Sequence, residues 1–212
     1  MGLIFAIMVH QFRREAEGAL EHLEALETLV GEHGFQTMRE LAAITRGWAL
    51  TEQGQVAEGI RQMCQGLAIA QAQGSEGQVN YCLPILAGAY GKAGQVAEGL
   101  EVLEAALAQV HKNADRRFEA EIYRLKGALL LQQTQESERE AETAFQQALD
   151  VARHQQAKSL ELRAAMSLAR LRQSQGKRTE AHELLAPIYG WFTEGFDTAD
   201  LQEAKALLDA LA

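Results

Sequence analysis

The stretch Gly54–Ile60, with the sequence GQVAEGI, decides the fold because it recurs as GQVAEGL at Gly94–Leu100. The same step relates Ala141–Ala148 to Ala181–Ile188. Self-similarity at a fixed period, here about 40 residues, is typical of repeat architectures. Within a repeat, apolar residues return with helical periodicity in two stretches, with a glycine between them. Each repeat therefore predicts two helices joined by a short turn.

Small residues recur at matching places in the repeats and indicate where paired helices cross. In the first helices these are Gly47, Ala87, Gly127 and Ala169, and in the second helices they are Gly59, Gly99, Ala141 and Ala181. A larger side chain at a close crossing would hold the two axes apart. We expect the larger residues of the second helices to fill the space beside these crossings, namely Met63, Leu103, Phe145 and Leu185.

Composition favours an all-α chain and excludes several functions. The 212 residues are 47% hydrophobic, include only two prolines and are rich in alanine, leucine, glutamate and glutamine, which are strong helix formers. The net charge of −9, without a block of lysine or arginine, argues against binding nucleic acid or an anionic membrane surface. Cys64 and Cys82 lack metal-ligand spacing, so we expect free buried thiols in a cytoplasmic protein.

The N-terminal segment predicts a single helix over residues 3–30. Its apolar run, residues 3–9, is too short to span a bilayer and has no basic region before it. Because this run continues directly into a helical pattern, the chain looks like a fragment of a longer protein. If no repeat precedes this helix, it exposes an apolar edge through which the chain can form a homo-oligomer, made of Phe5, Ile7, Met8 and Phe12.

The repeat resembles the tetratricopeptide repeat (TPR). Leu83, Leu86, Ala87 and Tyr90, followed by Gly99, Leu103 and Ala106, match the TPR pattern in register. The period of about 40 exceeds the usual value of about 34, Arg46 and Lys126 replace the usual leucine, and the proline that ends a repeat is missing. Residues 123–131 and 189–201 are similar to the C-terminal TPR-like regions of bacterial multidomain ATPases and adenylate or guanylate cyclase-type regulators.

This resemblance implies an all-α, right-handed superhelical solenoid of TPR-like helix-turn-helix repeats over residues 1–212, with about 10 helices. The orphan helix at about 3–30 precedes repeats at about 36–73, 76–112, 115–155 and 158–192. A capping helix at about 198–211 covers the last apolar face. Thr198 or Asp200 is expected to cap it, with Glu203 completing a capping box if the cap is Asp200. Gly195 is expected to provide a left-handed stop before it.

In the resembled fold, partners bind in a concave groove lined by first helices. Carried over by position, the groove comprises Trp48, Glu52, Tyr81, Lys92, Glu121, Arg124, Gln132, Arg163, Arg170 and Gln173. Aromatic residues among scattered arginines are typical of peptide-recognition surfaces, although Trp48 can instead pack between repeats. TPR proteins that clamp a chaperone's C-terminal carboxylate use lysine, asparagine and arginine at set positions. Those positions here hold other residues, so the clamp is absent: Ile44, Trp48, Ile85, Glu121 and Leu125.

No sequence pattern points to catalysis, a cofactor or a metal. The sequence has no phosphate-binding loop, no histidine pair at helical metal spacing and no nucleophile elbow. We therefore expect a non-catalytic scaffold that binds a protein, a peptide or upstream domains of its own polypeptide. The alternative is a sensor that binds a peptide or small molecule in the groove. Pro84 predicts a kink or a helix start at Tyr81, and Pro187 a kink near Glu183.

Overall fold

The computed structural model describes residues 2–33, 38–133 and 137–212, and within these ranges the chain is helical with no strand. The all-α prediction is confirmed. The helices are α1 (Gly2–Arg13), α2 (Ala16–His33), α3 (Arg39–Glu52), α4 (Val56–Ala72), α5 (Glu76–Lys92), α6 (Val96–Asn113), α7 (Glu119–Gln133), α8 (Glu138–His154), α9 (Lys158–Ser174), α10 (Arg178–Tyr189) and α11 (Ala199–Leu211). The chain divides into two compact units, Met1–Gln109 and Val110–Ala212, which are described separately below.

Successive helices pack against one another in both units. In the first unit α1 packs on α2, α2 on α3, α3 on α4 and α4 on α5, and α3 also contacts α5. The second unit repeats this pattern from α7 to α11, with α9 contacting both α7 and α11. These contacts bury apolar faces between the two helices of a hairpin and between neighbouring hairpins, as expected for a helical repeat.

Tight turns with a left-handed residue join the two helices of a hairpin. Gly54 has φ of 85°, and the next backbone N–H, at Gln55, donates to the carbonyl oxygen of Leu50 at 2.8 Å. Gly94 has φ of 72° and occupies the equivalent place in the next repeat. Glycine suits this position because a side chain is strained at positive φ. The repeated GQVAEG sequence thus marks the turn and the start of the second helix.

The prediction of one helix over residues 3–30 is wrong, because the chain turns at Arg14. Arg14 has φ of 61°, and the backbone N–H of Glu15 donates to the carbonyl oxygen of His10 at 2.8 Å, as in the glycine turn of the next repeat. The Glu15 carboxylate also accepts a hydrogen bond from Arg13 at 2.7 Å. The N-terminal segment is therefore a complete hairpin, α1 and α2, rather than an orphan helix.

The predicted close crossings are observed in both units. A Cβ atom added to Gly47 would lie 2.6 Å from the carbonyl oxygen of Gly59 and 2.7 Å from Cγ of Met63. One added to Gly127 would lie 2.6 Å from the ring of Phe145. These contacts leave no room for a methyl group, so the small residues let each helix pair approach and the larger residue beside them fills the remaining space.

Both prolines lie inside helices. Helix α5 begins at Glu76 and includes Pro84, so the alternative of a helix start at Tyr81 is wrong. Proline removes one backbone donor but does not end a helix whose other residues are well packed. Here Pro84 itself is buried, together with Leu83 and Leu86. Helix α10 likewise includes Pro187. The bends expected at these prolines stay predictions.

The C-terminal helix α11 follows Thr198, which is its N-cap residue and has an extended backbone with φ of −73° and ψ of 146°. The capping box expected for Asp200 and Glu203 is wrong, because Asp200 lies inside the helix and both carboxylates bind arginines of α9. Gly195 has φ of 78°, which confirms the left-handed stop before the helix. Helix α11 packs on α10 and α9, as a capping helix does.

Candidate functional site

The ten predicted groove residues lie on the first helices of four hairpins. Trp48 and Glu52 are on α3, Tyr81 and Lys92 on α5, Glu121, Arg124 and Gln132 on α7, and Arg163, Arg170 and Gln173 on α9. The first four belong to the first unit and the other six to the second.

The two aromatic residues of this set are buried. Trp48 is 8% exposed and Tyr81 is 4% exposed, so neither ring lines an open groove, and the groove position expected for Tyr81 is wrong. Burial, together with the neighbouring Cys82, raises the pKa of the Tyr81 phenol well above its usual value. Large aromatic side chains gain most from leaving water. Both rings therefore stabilise the interior of the first unit, in line with the alternative that Trp48 packs within the repeats.

Glu52 and Lys92 form an ion pair across two hairpins of the first unit. The Nζ atom of Lys92 donates to Oε1 of Glu52 at 2.8 Å, and the two residues occupy equivalent positions in successive repeats. Both side chains remain accessible to solvent. An exposed pair of this kind contributes about 0–1 kcal/mol, so its charges remain available to another molecule at little cost.

In the second unit, Glu121 and Arg124 pair within α7. The guanidinium of Arg124 donates from Nε at 2.8 Å and from Nη2 at 2.7 Å to the two carboxylate oxygens of Glu121. Both side chains are more than three-quarters buried. This fork-to-fork geometry is the strong form of an ion pair. These two groups therefore satisfy each other and offer little net charge to a partner.

The C-terminal helix engages both predicted arginines of α9. Arg163 donates to Asp200 at 2.6 Å, and Arg170 donates to Glu203 at 2.9 Å. The first pair is largely buried, whereas the second is solvent-accessible. Their position in the repeat predicted an open groove, but their acidic partners lie 33 to 37 residues later in the chain. Arg163 thus fastens α11 to α9, and Arg170 adds an exposed ion pair that contributes little.

The two glutamines of the set differ in accessibility, because Gln132 is exposed and Gln173 is half-buried. Two pairs of the predicted set are in direct contact, Glu52 with Lys92 in the first unit and Glu121 with Arg124 in the second.

An exposed aromatic cluster in the loop between α10 and α11 was missed by sequence analysis. Trp191 is 58% exposed and Phe196 is 47% exposed. Phe192 contacts Trp191 edge-on with ring centroids 5.2 Å apart, and Phe196 contacts Tyr189 at 6.0 Å. We call Trp191, Phe192 and Phe196 the aromatic loop. The signal in the sequence is a dense run of aromatic residues after a helix.

A charged cluster lies beside the aromatic loop. The Nζ atom of Lys158 is 5.7 Å from the centre of the Trp191 ring and donates to Glu161 at 2.7 Å. Glu161 is buried and also accepts a hydrogen bond from Arg153 at 3.0 Å. Burial raises the pKa of Glu161, but hydrogen bonds from Lys158 and Arg153 lower it by more, so its pKa lies below the usual value. Glu161 thereby holds Lys158 where its charge faces Trp191.

Metal-ligating groups and thiols are the remaining chemistry-bearing groups of the described residues. No group of three or more histidine, cysteine, aspartate or glutamate side chains within these residues could hold a metal ion. Cys82 is buried, and burial together with the nearby Cys64 raises its pKa to about 12, so Cys82 stays a thiol. Across the helices that the structure describes, none is long and apolar enough to cross a membrane.

The fold is similar to that of a solved TPR-like repeat protein. A crystal structure of nearly identical TPR-like repeats of a Podospora anserina kinesin light chain superposes with a TM-score of 0.56 and 22% sequence identity, over 89% of this chain and 92% of that chain. No family model matches the sequence, and no curated protein matches it. The similarity shows a TPR-like helical-repeat fold.

Proposed function

We propose that this chain is a non-catalytic helical-repeat module that binds a protein partner. The observation that carries this proposal is the aromatic loop, since Trp191 exposes 58% of its surface in a folded chain that buries its other tryptophan, Trp48. Tryptophan is strongly enriched among the residues that dominate protein-protein binding energy. An exposed tryptophan that is held in place loses little entropy when a partner covers it.

The aromatic loop suits a polypeptide segment that presents an apolar side chain. Phe192 and Lys158 both contact the ring of Trp191, and the hydrogen bond to Glu161 holds Lys158 in place. Burying an anchor of this kind contributes about 2 kcal/mol or more at the centre of an interface. Lys158 adds a fixed positive charge beside the ring, which favours a partner with an acidic residue next to the apolar one.

The accessible members of the predicted groove set are proposed as further contact residues. The Glu52–Lys92 and Arg170–Glu203 pairs are solvent-accessible, so exchanging their partners for charges of another protein costs little. Such groups influence the rate of association and its orientation more than its affinity. Gln132 and Gln173 can add neutral hydrogen bonds. A ligand sensor built around Trp48 and Tyr81 has less support, because both rings are buried.

The partner that we propose is a catalytic domain of the same polypeptide, with this chain as the regulatory region of a bacterial cytoplasmic ATPase or nucleotide cyclase. Supporting this is the resemblance of residues 123–131 and 189–201 to such regions. The aromatic loop lies within the second of these stretches. A regulatory contact at this loop would connect a change in the catalytic domain to the hairpin of α9 and α10, which the loop follows.

A binding assay between the purified chain and the catalytic domain encoded in the same reading frame tests this proposal. We expect Trp191→Ser to weaken binding about 30-fold, which corresponds to about 2 kcal/mol. Leu29→Ser is the control, because Leu29 is also an exposed apolar residue, at 48%, but lies in the other unit. Equal affinity of the Trp191→Ser variant would contradict the assigned contact. Nucleotide hydrolysis or cyclisation by the chain itself would contradict a non-catalytic role.

A further inference from the structure

Two histidines from the two helices of the first hairpin lie side by side. His10 is on α1 and His22 is on α2, and their ring centres are 4.9 Å apart with an angle of 37° between the ring planes. The turn at Arg14 brings them together, so the helical spacing of metal-binding histidines along the sequence does not reveal them. Ile7 of α1, which was expected at an exposed edge, is fully buried.

The Nδ1 atom of each ring carries a proton. Nδ1 of His22 lies 2.8 Å from the carbonyl oxygen of Gly18, and Nδ1 of His10 lies 2.6 Å from Oε2 of Glu15. A carbonyl oxygen can only accept a hydrogen bond, and so can an ionised carboxylate. Glu15 is ionised, because hydrogen bonds from Arg13 and His10 outweigh the effect of burial and lower its pKa. Each neutral ring therefore has its lone pair on Nε2, which has no hydrogen-bond partner among the described residues.

These hydrogen bonds are the ones that metal-binding histidines make in proteins. Such a histidine donates its other ring N–H to a carboxylate or a backbone carbonyl, which fixes the ring and makes the ligating nitrogen more basic. His10 donates to a carboxylate, and His22 donates to a backbone carbonyl. Arg13 donates to the other oxygen of Glu15 at 2.7 Å and so holds this carboxylate in place. Both rings are therefore oriented by their surroundings.

The distance between the rings fits one shared ion. A zinc–nitrogen bond is about 2.0–2.1 Å long, so the ion lies about 3.2 Å from the centre of each ring. Two rings that bind one ion at an angle of about 90–110° then have centres about 4.5–5.2 Å apart. The observed 4.9 Å lies within this range. The two rings therefore already have the separation that a bridging ion requires.

The pair is particular to the first hairpin. In the register of the repeat, His10 corresponds to Leu50, and His22 corresponds to Gln62. A Cβ atom added to Gly18 would lie 2.6 Å from Nδ1 of His10, so glycine at this position leaves room for the imidazole ring. The packing of the repeat itself therefore does not require imidazole at either position.

We infer that His10 and His22 bind one divalent transition-metal ion through their Nε2 atoms, with water at the remaining coordination positions. Imidazole suits Zn²⁺, Cu²⁺ and Ni²⁺, whereas Mg²⁺ prefers oxygen ligands. The His10 side chain is 28% exposed and His22 is half-buried, so an ion can reach both from solvent. Because no group of three or more metal-ligating side chains occurs among the described residues, this is an open site that exchanges its ion readily.

Calorimetric titration of the full chain, without an affinity tag, with Zn²⁺ tests this inference. We expect one ion per chain. His10→Leu and His22→Gln each remove a ligand and should weaken binding at least about tenfold. Glu15→Gln changes the residue that orients His10 and should weaken binding about tenfold. All three variants carry the residue of the equivalent position in the next hairpin, so they suit the packing of the repeat.

His154→Gln is the matched control, because His154 is exposed and lies in the other unit, and this variant should bind Zn²⁺ as the unmodified chain does. Three results would overturn the inference: no saturable binding of Zn²⁺, binding that neither histidine variant weakens, or binding that His154→Gln weakens equally. Circular dichroism of each variant verifies that the helices remain folded. The proposed function depends on Trp191 in the other unit, so the two ideas succeed or fail separately.

Discussion

Replacing Gly59 with alanine tests how closely α3 and α4 pack. Alanine favours a helix over glycine by about 1 kcal/mol, so local preference alone predicts a more stable protein. The structure predicts the opposite. A methyl group at Gly59 would overlap the carbonyl oxygen of Gly47 and the hydroxyl of Thr51, and it would lie 3.1 Å from the backbone nitrogen of Thr51.

The magnitude follows from which atoms can move. The Gly47 carbonyl belongs to the α3 backbone, and the Thr51 hydroxyl is buried and donates to that same carbonyl at 2.9 Å. Relief therefore requires the two helices to separate, which typically costs about 1–3 kcal/mol and outweighs the gain in helix preference. Because one of the overlapping atoms is backbone and the other is buried, the cost falls in the upper half of that range, and we expect a net loss of about 1–2 kcal/mol. Such a loss lowers the melting temperature of a unit of this size by about 5–15 °C.

Thermal and urea unfolding followed by circular dichroism measure this loss, since the signal reports helix content directly. Gly2→Ala is the control, because nothing lies within 4 Å of a Cβ atom there and its backbone is helical. We expect that control to leave stability unchanged or slightly higher. If Gly59→Ala is as stable as the unmodified chain or more so, the close crossing of α3 and α4 is not as described.

Three further predictions concern charges and thiols. Glu161→Gln should make the stability of the protein depend less on pH at acidic pH. Because the pKa of Glu161 is lowered from its ordinary value of 4.5, the charged carboxylate stabilises the fold above that pH, and this stability is lost as the pH falls. Urea unfolding at several pH values measures the difference. Cys82 should resist thiol reagents in the folded chain and react only after denaturation; rapid native labelling at this position, read by mass spectrometry, would contradict its burial. A double-mutant cycle on Arg163 and Asp200 should give a coupling energy of about 1–3 kcal/mol for the stability of the protein. The exposed Arg170–Glu203 pair should give less than about 1 kcal/mol, and similar coupling energies for the two pairs would contradict their difference in burial.

The repeat could be predicted from the sequence because its turns and crossings depend on local residue types. Glycine at 54 and 94 marks the turns, and small residues at 47 and 59 mark the crossing. The turn of the first hairpin was not predicted because Arg14 stands where the other turns have glycine. The register was nevertheless present, since Leu23 and Met63 occupy equivalent positions of successive repeats and both are buried.

The candidate site was harder to predict because exposure depends on contacts between distant residues. Position in the repeat selects both Trp48 and Arg163 for the groove, but it does not reveal what covers each of them. Trp48 is buried in the first unit, and Arg163 is bound by Asp200, 37 residues further on. Trp191 follows the end of α10, where helical periodicity ceases to report which side chains face solvent.

The most direct test of the central claim, that this chain binds a protein partner at the aromatic loop, is site-specific photo-crosslinking. A photoreactive amino acid replaces Trp191 in one variant and the exposed Leu29 in another, and mass spectrometry identifies the adducts formed in an extract of the source cells. We predict a defined adduct at position 191 with the catalytic domain encoded in the same reading frame, formed more strongly than at position 29. No adduct at position 191, or adducts formed at position 29 alone, would contradict the claim.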